Sequence, residues 1–399
     1  MSTDQRPSMR SGYMHSGDGR TVHLFGPSLT GAERQSVLDA LMSPSLVGGP
    51  VVKAFETTVA EKLHLDHAAA VSSGTAALHL ALLAVGVRPG DAVLIPTLTF
   101  VATASAARYA HAQPVFVDVE GEHWQLDVQR ARTYIEHNYR PSPTGPCDRR
   151  TGARLAALVA VHLLGHPSDG KALRELADHL RVPLIEDAAQ ALGALGHGEP
   201  VGAFGSAVCL SFNSNKIATC GTGGMVASAD SSLVDRVRFL ANHAKDPLQH
   251  YSHDEVGFNY QLASMSAALG TAQVSRLDEL VNGHRRRLAS YQQLLASVDG
   301  ITFPKEARWA RQNGWLAVVR IDPGRATPTQ VAAALGAAGV ASRRMFQPLH
   351  SMPPFAAARR DKCPVADAVG ATGLILPNSS CVSDADVDRI AQVIQTELS

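Results

Sequence analysis

Two textures alternate along this chain. Short runs of Val, Ile, Leu and Ala recur: AAAVSS (68–73), AVLIP (92–96), PVFVDV (114–119), LAALVAVHLL (155–164), VPLIED (182–187), AVCLSF (207–212) and MVASA (225–229). Between them lie segments with apolar residues at helical spacing, such as AALHLALLAVGV (76–87), TFVATASAARYA (99–110) and ALRELADHL (172–180). Strands this uniformly apolar are buried on both faces, and alternation with helices is the mark of βαβ units. The pattern predicts an α/β fold with a mostly parallel central sheet flanked by helices. Ahead of it, Thr30 and Glu33 have the spacing of a capping box before a Val37, Leu38, Leu41 stripe. The Pro-, Gly- and Arg-rich stretch 138–154 reads as a surface loop. Past Leu262 a long helical stretch is expected to run to about Leu295. Beyond it, WLAVVRI reads as a strand, TPTQVAAALGAAG as a helix, and a last helix begins at Ser383 with Asp386 in capping position. The expected organisation is a mobile arm over 1–22, a large domain over 23–262, and a connecting helix with a smaller α+β domain over 263–399.

The chain has 399 residues, 45 % of them apolar, which suits a folded protein of more than one domain. Its 36 Lys and Arg balance 36 Asp and Glu, which argues against a nucleic-acid partner. No uninterrupted apolar stretch approaches the roughly 20 residues that span a bilayer, so no membrane partner is expected. The first residues lack the apolar core of a secretory signal. Five scattered cysteines without a CxxC pair fit neither a disulfide framework nor a zinc site, and 17 histidines show no metal-ligand spacing. The expected location is the cytoplasm, and no metal is expected.

Three segments carry candidate chemistry. In VSSGTAAL a strand ends, Gly74 allows a tight turn and a helix begins near Thr75, which makes either an anion site or a simple cap. In VPLIEDAAQ an apolar strand delivers Glu186 and Asp187 at its C-terminal end, where ligands bind in doubly wound sheets. A carboxylate there could hold a metal, a ribose hydroxyl or a protonated ring nitrogen, or could cap a following helix that brings Gln190 near Asp187. In LSFNSNKIATCGTGGMV, Lys216 sits between an apolar strand and a Gly-rich turn. A lysine in low-dielectric surroundings loses its proton more easily than in water and serves as an amine nucleophile. The glycine run is not a dinucleotide fingerprint, because Val226 stands two places after Gly224.

Taken in order, the Ser-Gly-Thr turn, TF-x-AT, E-D-A-A-Q and S-F-x-x-x-K resemble the DegT/DnrJ/EryC1/StrS family of pyridoxal-phosphate aminotransferases acting on sugars. The resemblance runs from about Leu24 to the C-terminus and includes FE-x-x-VAEKL, VHLLGHPSD, GFNYQL, QPLH and LILPNS. It implies the type I aminotransferase fold and the cofactor pyridoxal 5′-phosphate. It further implies a Schiff base on Lys216, Asp187 opposite the pyridinium nitrogen, Phe100 stacked on the ring and Gln190 near the ring hydroxyl. Gly74, Thr75 and Ser211 would hold the phosphate. Asn259 would reach the phosphate of a neighbouring subunit, so a homodimer with shared sites is implied. The segment 242–260 resembles the branch that aminates C4 of nucleotide-linked keto sugars, which would bring His250, Tyr251 and His253 near the sugar and set Arg343 or Arg344 against its diphosphate. The implied reaction moves an amino group from glutamate or glutamine to a nucleotide-diphospho-4-keto-6-deoxyhexose. A sugar dehydratase, a C3-keto-sugar or keto-inositol aminotransferase and a non-catalytic binding protein on the same fold are the alternatives. Relatives with histidine in place of the lysine tend to be dehydratases, so Lys216 favours transamination. The chain departs from the family pattern at Thr222, Gln261, Leu262 and Arg344 and over Ser43–Ser45.

Overall fold

The computed structural model of the protein describes residues 21–246 and 252–399. Most of the expected N-terminal arm therefore lies outside the described residues. Its last residue, Val22, is fixed by backbone hydrogen bonds to Gly339 and Ala341.

Eight strands form the main sheet, in the order His67–Val71, Gly224–Ser228, Ala207–Ser211, Leu184–Asp187, Leu155–Val161, Ala92–Pro96, Gln113–Val117 and Arg359–Arg360. Every pairing from Ala207–Ser211 to the Arg359–Arg360 edge is parallel, and Gly224–Ser228 runs against both its neighbours. Successive residues of the central strands enter different cores. Leu158 and Leu184 pack with the helices Val128–Asn138 and Gly170–Leu180, while Val159 and Ile185 pack with Gly74–Ala84, Ala102–Tyr109 and Ser231–Ala241. Burial on both faces is why these strands read as continuous apolar runs. A second, antiparallel sheet has the order Ile301–Thr302, Ala317–Ile321, Gly373–Leu376, Arg343–Arg344. The helices Pro328–Ala337 and Asp384–Leu398 close its core around Val319, Leu335 and Ile390. The capping boxes of Thr30 with Glu33 and Ser383 with Asp386 are both formed.

Two expectations are corrected. The single long helix after Leu262 is two, Ser264–Ser275 and Leu277–Leu294, broken at Arg276. There the guanidinium turns aside to the buried carboxylate of Glu33, at 2.8 Å, and to Glu279, at 2.7 Å. No helix follows Asp187 either: residues 189–193 form a series of turns. The C-terminal part also returns to the main sheet, where Arg359–Arg360 adds the last parallel strand beside Val115–Phe116.

Candidate functional site

The Leu184–Asp187 strand presents two acids, and strand geometry sends adjacent side chains to opposite faces. Asp187 points towards the start of the Gly74–Ala84 helix. It accepts the Thr103 hydroxyl at 2.7 Å and the Ala189 N–H at 3.2 Å. Glu186 points the other way and is 1 % exposed. It accepts His162 Nε2 at 2.9 Å and the N–H groups of Gly202, Phe204 and Gly205. Because Ser168 N–H donates to His162 Nδ1, the histidine proton lies on Nε2. His162 and His166 are thereby framework residues.

Beside Asp187 a cavity of about 370 Å³ opens between the two sheets. Gly74, Thr75, Phe100, Asp187, Gln190, Ser211, Lys216 and Arg343 all line it. Ser73 caps the Gly74–Ala84 helix by accepting from Ala76 N–H. The first N–H groups of that helix have no acceptor within the helix, so an anion is favoured there. Glycines make the close approach possible. A Cβ on Gly74 would lie 2.8 Å from Ser211 Cβ, and one on Gly224 would lie 2.2 Å from the Ser73 carbonyl oxygen.

Burial pushes the Lys216 amine down to about 7, with the Asp187 carboxylate pulling the other way. Burial likewise raises Asp187, offset by the Thr103 hydroxyl, the Ala189 N–H and the nearby charge of Lys216. A lysine that exchanges its proton near neutrality is suited to nucleophilic and acid–base work. Gln190 is buried, with its Oε1 accepting Leu164 N–H at 2.7 Å, which replaces the picture of a helix residue near Asp187. Phe100 is half exposed at the mouth, its ring 6.2 Å from that of Phe346. Thiol chemistry is disfavoured nearby, since burial raises both Cys209 and Cys220, the latter to about 12.

Other expected residues lie elsewhere. Arg344 alternates with Arg343 along its strand, so it faces away from the cavity and donates to the Ala371 carbonyl. His253 accompanies Asn242, His243 and Glu255 around a separate surface groove. Asn259 is exposed and bridges backbone to Asn242, outside the walls of this cavity. His250 and Tyr251 lie outside the described residues. Sequence reading missed Phe25, Thr103, Trp315 and Phe346, which complete the walls. Among the described residues no cluster suited to a metal ion occurs, and no helix is long and apolar enough to cross a membrane. A wider groove of about 1150 Å³ lies at the opposite ends of the strands, but its acids are engaged in ion pairs of Arg154 with Asp91 and Arg359 with Asp148.

Comparison with known proteins places this geometry in context. The model of the DegT/DnrJ/EryC1/StrS aminotransferase family matches residues 27–395. The GDP-perosamine synthase of Caulobacter vibrioides is 36 % identical over 381 residues, covering 94 % of this chain and 98 % of that one. The UDP-N-acetyl-3-dehydro-alpha-D-glucosamine 3-aminotransferase of Acidithiobacillus ferrooxidans is 34 % identical, covering 89 % and 90 %. The crystal structure of DesV from S. venezuelae superposes with a TM-score of 0.82 at 31 % identity, over 91 % of this chain and 93 % of that one.

Proposed function

The chain belongs to the DegT/DnrJ/EryC1/StrS aminotransferase family, and from that premise we propose how this pyridoxal-phosphate-dependent sugar aminotransferase works and on what it acts. The observation that carries the reading is half-buried Lys216 and buried Asp187 in one cavity with the N-terminus of the Gly74–Ala84 helix. These residues fit pyridoxal phosphate. A helix start with room at Gly74 suits a phosphate, a carboxylate suits a protonated ring nitrogen, and an amine suits an aldehyde. When bound, the cofactor supplies the electron sink for moving an amino group.

The chain's own residues do the rest. Thr103 and Ala189 hold the Asp187 carboxylate in one orientation towards the ring nitrogen. Gly74, Thr75 and Ser211 seat the phosphate. Phe100 would cover the cofactor ring, and Gln190, fixed by accepting Leu164 N–H, would offer its amide to the ring hydroxyl. Lys216, with its proton balanced near neutrality, would hold the cofactor and would carry a proton to or from the substrate carbon. The large unit, 23–262, forms the floor of the site. The C-terminal unit, 263–399, forms the roof through Trp315, Arg343 and Phe346.

We propose glutamate or glutamine as donor and a nucleotide-diphospho-4-keto-6-deoxyhexose as acceptor. Arg343 supports this, because it brings a guanidinium to the cavity where a diphosphate can be bound by charge-assisted hydrogen bonds. A C3-keto sugar is the second reading, favoured by the Acidithiobacillus 3-aminotransferase. A homodimer is supported by the exposed Leu38, Leu41, Met42, Leu46 and Val47, and by Asn259, which faces away from its own cavity. Five free cysteines support a reducing, cytoplasmic setting.

Lys216→Ala tests the core of the proposal. The wild type should take up pyridoxal phosphate with a visible absorbance that changes on adding glutamate or glutamine. It should then aminate one member of a panel of nucleotide-linked 4-keto and 3-keto sugars. The variant should lose the absorbance and turnover together, and turnover at the wild-type rate would sink the assignment.

A further inference from the structure

Lys216 Nζ lies 3.9 Å from the centre of the Trp315 ring. That indole is held at both ends. Its Nε1–H donates to the carbonyl of Asn215, the residue before Lys216, at 2.8 Å. Its backbone N–H donates to Asn313 Oδ1 at 2.9 Å, and Asn313 Nδ2 donates to the Gln190 and Leu192 carbonyls, each at 3.0 Å. Trp315 is only 5 % exposed and stands at the entrance to the Ala317–Ile321 strand of the second sheet. The ring face is thus fixed against the lysine by two tethers to loops of the main sheet. An indole face attracts an ammonium and gives an uncharged amine no comparable hold.

We propose that Trp315 is a positioning residue for Lys216, its ring face serving as the seat of the lysine ammonium while that amine is protonated and not joined to the cofactor. The inference rests on the aminotransferase reading, in which the Lys216 amine would be freed in the donor half of the reaction and would rejoin the cofactor only at the end of the acceptor half. Seated there, the amine stays beside Asp187 without wandering into the space the substrate needs.

Several neighbours bear on the charge of Lys216 and must be separated in a test. Asp187, with His162 behind it, and Arg343 face the same cavity. His284 contacts the Trp315 backbone, and burial pushes it down to about 3, well below neutrality.

The test uses the full-length chain freed of cofactor. The chain has three tryptophans, so the emission of the wild type minus that of Trp315→Phe isolates Trp315. That difference should titrate with a midpoint near 7, as the ammonium leaves the ring face, and the titration should vanish when Lys216→Met is introduced. A titration that survives Lys216→Met, or the absence of a Trp315-specific titration, would overturn the proposal. The pH dependence of pyridoxal phosphate capture gives a second readout. Trp315→Phe should keep the wild-type midpoint, whereas Trp315→Leu should lower it by roughly half a unit to one unit. An unchanged or raised midpoint in Trp315→Leu overturns the seat. A wild type that captures no pyridoxal phosphate defeats the aminotransferase reading instead, and the emission titration still decides the Lys216–Trp315 contact.

Discussion

Replacing Glu186 with Gln should destabilise the chain far more than its near-identical shape suggests. Each carboxylate oxygen is used twice. Oε1 accepts from Phe204 and Gly205, and Oε2 accepts from Gly202 and His162 Nε2. An amide offers one oxygen and one NH₂, so two of these donors would face another donor in a site with no water access. Hydrogen bonds to a charged group are worth about 1.5–3 kcal/mol each, so losing two costs roughly 3–6 kcal/mol. For a chain of 399 residues that corresponds to a fall in melting temperature of roughly 4–7 °C. Scanning calorimetry of the cofactor-free wild type and variant reads it directly. The pH dependence has a definite sign. Burial raises Glu186, but His162 and the backbone N–H groups outweigh it, and the carboxyl lies below its usual range. Its contribution is therefore complete above the unfolded carboxylate pKa of about 4.3 and fades as pH falls through the lower folded value. The gap between wild type and Glu186→Gln should be constant from pH 6 to 8 and narrow only in acid. A fall below about 2 °C, or a gap that widens towards acid, would refute the reasoning.

Gly74→Ala would set a methyl 2.8 Å from Ser211 Cβ, an overpacking cost of about 1–3 kcal/mol, and should weaken pyridoxal phosphate binding roughly 10- to 100-fold by equilibrium dialysis. Gly31→Ala, where the added methyl meets nothing within 4 Å, should leave it unchanged, and equal affinities would remove Gly74 from the phosphate seat. Glu33 titrates in acid: burial raises it, but the Thr30 hydroxyl and N–H and the Arg276 guanidinium bring it down to about 2. Stability from this group, up to roughly 3 kcal/mol, is present above about pH 4.5 and lost as pH falls towards 2, so the melting gap to Glu33→Gln should close over that window.

What could be read from the sequence divides along a physical line. Strands buried on both faces announce themselves, because each residue must be apolar whichever way it points, and so the main sheet was legible almost strand by strand. Lys216 and Asp187 drew attention because Asp187 ends an apolar strand and Lys216 lies in the loop just past another. Alternation along a strand was harder to use where its pairing was unknown. Arg343 and Arg344 look equivalent in sequence, and only pairing with Ile375 and Leu374 decides that one meets the cavity and the other the Ala371 carbonyl. The helix break at Arg276 was hidden for a related reason. The Arg276 guanidinium there meets the Glu33 carboxylate, more than two hundred residues earlier, a contact of which local propensity contains no trace. Trp315 is the fullest case. Its sequence announces only that a strand is about to begin. Its place against Lys216 depends on Asn313 finding the carbonyls of Gln190 and Leu192, contacts made across 123 and 121 residues. The residues proposed to carry the chemistry thus stood out by violating a local pattern. Those that hold them in place obey their local patterns and become visible only when the sheets meet.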